Sequence, residues 1–74
     1  MPEKSALRTS ITLNGDPYII EGDARVAKLI ELLEMKPTRV AVEINGAIIP
    51  KAAYHETLIS AGDVVEVINF VGGG

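Results

Sequence analysis

Apolar and polar positions alternate along most of this chain, and the period of that alternation lengthens once, in the middle, before it returns. Leu7, Thr9, Ile11 and Leu13 are separated by Arg8, Ser10 and Thr12. A period of two predicts a strand with one apolar face. Asn14-Gly15-Asp16-Pro17 then reads as a turn, because Asn and Gly tolerate positive φ and Pro presets its own φ. A second strand over Tyr18 to Glu21 closes an N-terminal hairpin. Beyond Gly22-Asp23 the period lengthens. Val26, Leu29, Ile30 and Leu33 recur at i, i+3, i+4 and i+7, one stripe of a helix, with Arg25, Lys28 and Glu31 off it. Burying each stripe residue contributes about 1.5–3 kcal/mol. Asp23 is the expected N-cap. Pro37 is the expected stop, since the residue before a proline avoids the α region.

Period two then returns. Val40, Val42 and Ile44 alternate with Ala41 and Glu43, which predicts a third strand. Asn45-Gly46 is a tight-turn dipeptide, followed by a short fourth strand, Ala47 to Ile49, that ends at Pro50. Lys51 to Leu58 reads as a helical turn or loop in which Tyr54 packs against the core and His55 lies on the surface. Gly62-Asp63 turns the chain into a last strand, Val64 to Phe70. The order is β-β-α-β-β-β. A core this small closes only if the first and last strands share a sheet under the helix. The predicted fold class is therefore α+β, a β-grasp (ubiquitin-like) arrangement of about five strands in a mixed sheet packed on one helix. The expected organisation is a flexible N-terminal extension over residues 1–5, the β-grasp domain over 6–71, and a flexible glycine tail over 72–74.

Composition narrows the function classes. At 74 residues the chain is one small domain with a thin core, a poor frame for a deep catalytic cleft. It has no cysteine, which excludes a disulfide framework, a thiol nucleophile and cysteine-ligated metal sites. One histidine, with no carboxylates spaced around it, suggests no metal centre. The net charge is −3 with no cluster of Lys and Arg, so the footprint of a nucleic-acid binder is missing. No apolar run is long enough for a membrane span or a signal h-region. The expectation is a soluble, cytoplasmic protein, monomeric when free. No acid–base pair or activated nucleophile is visible, and the terminal glycines precede no helix, so they make no phosphate loop. The chain is not expected to be an enzyme.

The glycines carry the sharpest signal. Of seven, Gly15, Gly22, Gly46 and Gly62 fall at predicted turns, where positive φ accounts for them. Gly72, Gly73 and Gly74 follow the last strand, where no turn needs them. A bland reading is an unstructured end. The chemical reading is a tail without side chains that threads a narrow channel in a partner enzyme. The Gly74 carboxylate, unhindered, then attacks the α-phosphate of ATP to give an acyl-adenylate, and a sulfur nucleophile displaces AMP to leave a thiocarboxylate. Ordering each residue of such a tail costs about 1–2 kcal/mol, so a docking surface must offset it. With Glu66 facing water, period two sets Val64, Ile68 and Phe70 on the outer face, with Val71 leading to the tail. That row is the candidate docking patch. Asp63 and Glu66 are ordinary strand-edge charges that could also meet a basic partner surface. Lys28 and Glu31 form a solvated helix pair.

These residues resemble the ThiS family of sulfur carriers, within the broader MoaD/ThiS superfamily, over Ile11 to Gly74. The resemblance rests on the helix Val26-Ala-Lys-Leu-Ile-Glu-Leu-Leu33, the segment Asn45-Gly-Ala-Ile-Ile-Pro-Lys51, the turn Gly62-Asp63 and the ending Asn69-Phe-Val-Gly-Gly-Gly74. It implies a role as protein co-substrate in making the thiazole moiety of thiamine. An E1-like adenylating enzyme of the ThiF type would activate Gly74, consuming ATP. A cysteine desulfurase relay would supply sulfur, and a thiazole synthase of the ThiG type would accept it. Gly73 and Gly74 carry over as the diglycine motif and Gly74 as the modified residue, while Gly72 and Gly73 are the threaded residues of the steric reading above; no bound cofactor is implied. Two departures stand out: Arg25 lies where many members have a capping Ser or Thr, and the lead-in before Ile11 is long. The alternatives are a carrier for molybdopterin or another sulfur metabolite (MoaD-like), a ubiquitin-like modifier joined to lysines, and a β-grasp binding module with an idle tail.

Overall fold

Two Asn-Gly pairs shape both hairpins. Asn14 and Gly15 both take positive φ, 49° and 89°, as do Asn45 and Gly46 at 52° and 86°. Positive φ at both central residues is the type I′ turn, whose twist matches that of the flanking strands. In the computed structural model, which describes residues 7–70, the first hairpin joins β1 (Arg8–Leu13) to β2 (Asp16–Glu21) with Leu13 opposite Asp16. The four-residue turn expected over Asn14 to Pro17 is thus a two-residue turn, and Asp16 and Pro17 belong to β2. Pro17 is tolerated because β2 is an edge strand, where a missing N–H costs no ladder bond. Leu7, expected on the apolar face, lies outside β1 and is exposed.

The helix α1 (Val26–Leu32) buries Val26, Leu29 and Ile30, and Leu33 packs half-buried beside them. Both expected boundaries are corrected. Arg25, not Asp23, is the N-cap, and its side chain makes no capping bond. The Asp23 Oδ1 instead accepts the Arg25 N–H at 3.1 Å. At the other end the helix stops before Pro37. Glu34 adopts φ 60°, with its N–H donated to the Glu31 carbonyl and the Met35 N–H donated to the Ile30 carbonyl. This is the Schellman arrangement, with a glutamate where glycine is preferred. Pro37 opens a separate 3₁₀ turn, Pro37–Arg39.

β3 (Val40–Ile44), β4 (Ala47–Ile49) and β5 (Val64–Asn69) complete a sheet of order β2-β1-β5-β3-β4. The central β5 runs parallel to β1 and antiparallel to β3. This is the expected mixed five-stranded β-grasp sheet. Ile11, Leu13, Ile20, Val40, Val42, Val65 and Val67 point from the sheet into the core that α1 covers. Tyr54 follows the 3₁₀ turn Lys51–Ala53 and is buried, as expected, with its hydroxyl donating to the Val40 carbonyl at 3.3 Å. The extension over residues 1–5, together with Val71, Gly72, Gly73 and Gly74, lies outside the described residues.

Candidate functional site

Alternation along β5 decides which side chains the sheet presents. Val65 and Val67 are buried, so Val64, Glu66 and Ile68 project from the opposite face. Val64 is 47% exposed, Ile68 48% and Phe70 51%. Val64 and Ile68 therefore lie on the outer face expected from sequence, whereas Phe70 follows β5 rather than belonging to it and lines a shallow groove with Glu34, Met35, Lys36 and Arg39. The Phe70 N–H donates to the Arg39 carbonyl at 2.7 Å. That bond fixes the chain where it leaves the sheet.

β5 is held on both sides by the asparagines of the two I′ turns. The Asn14 Oδ1 accepts the Val67 N–H at 2.9 Å, and the Asn45 Oδ1 accepts the Val64 N–H at 2.9 Å. The Asn45 Nδ2 donates to Asp63 Oδ1 at 3.0 Å, while Asp63 Oδ2 accepts the Ser60 N–H at 2.8 Å. Asp63 is thus committed to the turn before β5. Of the two acidic residues singled out in the sequence, only Glu66 remains on the presented face.

The sheet adds residues that sequence reasoning did not place. Ala41 lies beside Ile68, Glu43 beside Glu66, and Ile48 beside Glu43. Since Val40 and Val42 are buried, Ala41 and Glu43 face outward with β5's row, and Ile48 joins them, 73% exposed. Alternation alone predicts which way each points. It carries no information that β3 neighbours β5, which is what makes one patch of them.

The helix side of the molecule is different in character. A shallow groove there is lined by Asp23, Arg25, Lys28, Glu31, Pro37 and His55. Its charges pair with one another: Arg25 Nη1 with Asp23 Oδ2 at 3.7 Å, and Lys28 Nζ with Glu31 Oε1 at 3.3 Å. Among the described residues no three His, Cys, Asp or Glu side chains come together to hold a metal ion. No helix among them is long and apolar enough to cross a membrane.

Comparison with known proteins agrees with this geometry. The model of the ThiS family matches residues 11–74, a span that includes the presented strand and all three terminal glycines. The sulfur carrier protein ThiS of Bacillus subtilis is 39% identical over 65 residues, covering 86% of this chain and 98% of that protein. A thiazole synthase of Magnetococcus marinus is 36% identical over 64 residues, covering 86% of this chain but only 20% of that longer protein. The crystal structure of the thiamine biosynthesis protein ThiS from Geobacter metallireducens superposes with a TM-score of 0.73 at 33% identity, covering 89% of this chain and 100% of that one. In sequence pattern, strand order and the extent of these matches, the chain belongs to the ThiS family.

Proposed function

We propose that this protein is a sulfur carrier for the thiazole moiety of thiamine and works through the carboxylate of Gly74. The observation that carries the reading is the family match running through Gly74, directly beyond a strand whose outer side chains are apolar and exposed. Val64, Ile68, Phe70 and Val71 dock on partner enzymes, and Gly72 and Gly73 pass through the partner's channel. An E1-like enzyme of the ThiF type adenylates Gly74 at the expense of ATP, releasing pyrophosphate. Persulfide sulfur from a cysteine desulfurase relay, released as hydrosulfide by a thiol reductant, displaces AMP, and the resulting thiocarboxylate gives its sulfur to a thiazole synthase. The chain is a co-substrate rather than a catalyst, and it acts in the cytoplasm as a monomer when free.

The physical logic is a division of labour. A glycine tail gives steric access but loses much conformational freedom on threading. The rigid sheet face offsets that loss, because its side chains are ordered before the partner arrives. The test is intact mass after incubation with ATP, a ThiF-type enzyme and a sulfur donor. The expected result is a shift equal to replacing one oxygen by sulfur, mapped to Gly74, and no shift once Gly73 and Gly74 are deleted. An unchanged mass, with an activating enzyme proven on another carrier, would reject the reading.

A further inference from the structure

Glu43 and Glu66 stand directly opposite each other on β3 and β5, on the presented face of the sheet. Like charges in that relation oppose the pairing of their strands. Among the described residues no cation pairs with either of them: the ion pairs there are Arg8–Glu21, Arg25–Asp23 and Lys28–Glu31. Apolar side chains frame the two carboxylates. Ile48 lies beside Glu43 on the β4 side, Ala41 and Ile68 form the next row toward the tail, and Val64 lies on the other side. Within the described residues the two carboxylates thus form a like-charge pair without a partner, framed by apolar side chains.

That frame selects among occupants. Covering it with a purely apolar surface would strip water from two like charges with nothing in exchange. A second copy of this chain, packed face to face, would bring four carboxylates together. An anionic surface, whether nucleic acid or lipid, is repelled. What fits is a protein surface that is apolar at its rim and cationic at its centre, and an arginine suits best because its planar fork spans two carboxylate oxygens.

We infer that Glu43 and Glu66 together receive a cationic side chain, arginine by geometry, from the surface of thiazole synthase, with Ile48, Ala41, Val64 and Ile68 sealing the contact. This rests on the carrier reading above. The choice of thiazole synthase follows from the Magnetococcus marinus relative, in which the segment matching this chain makes up 20% of a protein of that name. Within one polypeptide the tether supplies a high effective concentration. A separate chain lacks the tether and must use a complementary surface instead.

The test is titration calorimetry of the full chain against purified thiazole synthase from the same source, at low and at physiological salt. The Glu43→Gln/Glu66→Gln double variant should bind about tenfold more weakly and lose most of the salt dependence. Glu43→Lys places the cation within the domain. It should raise the melting temperature of the free chain, since it pairs with Glu66, and weaken binding further. A merely structural role would move stability and affinity in the same direction. If the double variant binds as the unsubstituted chain does, with the same salt dependence, the inference fails, and a normal mass shift at Gly74 would show the carrier reading intact. If binding depends on both glutamates while Gly74 never gains sulfur, the surface stands and the carrier reading fails.

Discussion

The Asn14 carboxamide reaches both backbone groups of Val67, accepting its N–H at 2.9 Å and donating to its carbonyl at 3.4 Å. β1 pairs with β5 only at Thr12–Val64 and Leu13–Val65, because the chain turns away at Asn14. The Asn14 side chain then continues the ladder that the backbone of β1 has left. It therefore supports the half of β5 that presents Ile68 and leads to Phe70. Asn14→Gly keeps the positive φ and removes the clamp, so it should cost about 1–2 kcal/mol in denaturant titration. Amide exchange should rise most at Val67. Asn14→Asp can still accept from Val67 N–H but cannot donate, and it should cost less.

Glu34 ends α1 in a left-handed conformation that a side chain disfavours. Glycine at this position removes the steric penalty, and Glu34 is exposed, so little packing is lost. Glu34→Gly should stabilise the domain by about 1 kcal/mol. For a domain of this size that corresponds to a rise in melting temperature of roughly 4–8 °C. Thermal unfolding by circular dichroism checks it.

Tyr54 gives the fold an alkaline limit. Burial pushes its hydroxyl pKa above the ordinary value of 10.0. The unfolded chain therefore loses that proton at lower pH than the folded chain does. The contribution to stability is complete below pH 10.0 and is lost as pH rises through the folded value. Tyr54→Phe should remove that part of the alkaline decline in melting temperature. Its cost at neutral pH should be small, roughly 0.5–1.5 kcal/mol. The Val40 carbonyl keeps the Lys51 Nζ as a donor at 2.9 Å, so no buried acceptor is orphaned.

Ile68 is exposed on the presented face, so a charge there should not disturb the fold. Ile68→Glu should leave the melting temperature within a few degrees of the original. It should reduce the rate of thiocarboxylate formation at limiting activating enzyme by about tenfold or more, as expected for a buried apolar anchor. Ile19 is equally exposed but sits on β2, separated from β5 by β1. Ile19→Glu is the matched control and should have little effect. Mass spectrometry on timed samples reads both.

The local pattern of residues carries the order of strands and helix and the face that each one buries. Period two settles the direction of each side chain in β1, β3 and β5, and the Val26–Leu33 stripe settles the buried face of the helix. Both are local consequences of backbone geometry. Asn45-Gly46 specifies its turn for the same reason, whereas at Asn14-Gly15 the following Asp16-Pro17 disguises a two-residue turn as a longer one. The three terminal glycines follow the last strand where the sequence predicts no turn to use them, which is why the proposed function rests on them. Tertiary structure alone decided what depends on strand order. Asn14 meets Val67 across 53 residues, and Glu43 meets Glu66 because β3 happens to flank β5. No local period encodes either neighbour, since strand register is fixed by the packing of a whole sheet on a helix. The helix end belongs to the same class. Pro37 is the visible stop signal, yet the chain already turns at Glu34, because the connection to the 3₁₀ turn and β3 imposes a left-handed residue that glutamate does not advertise.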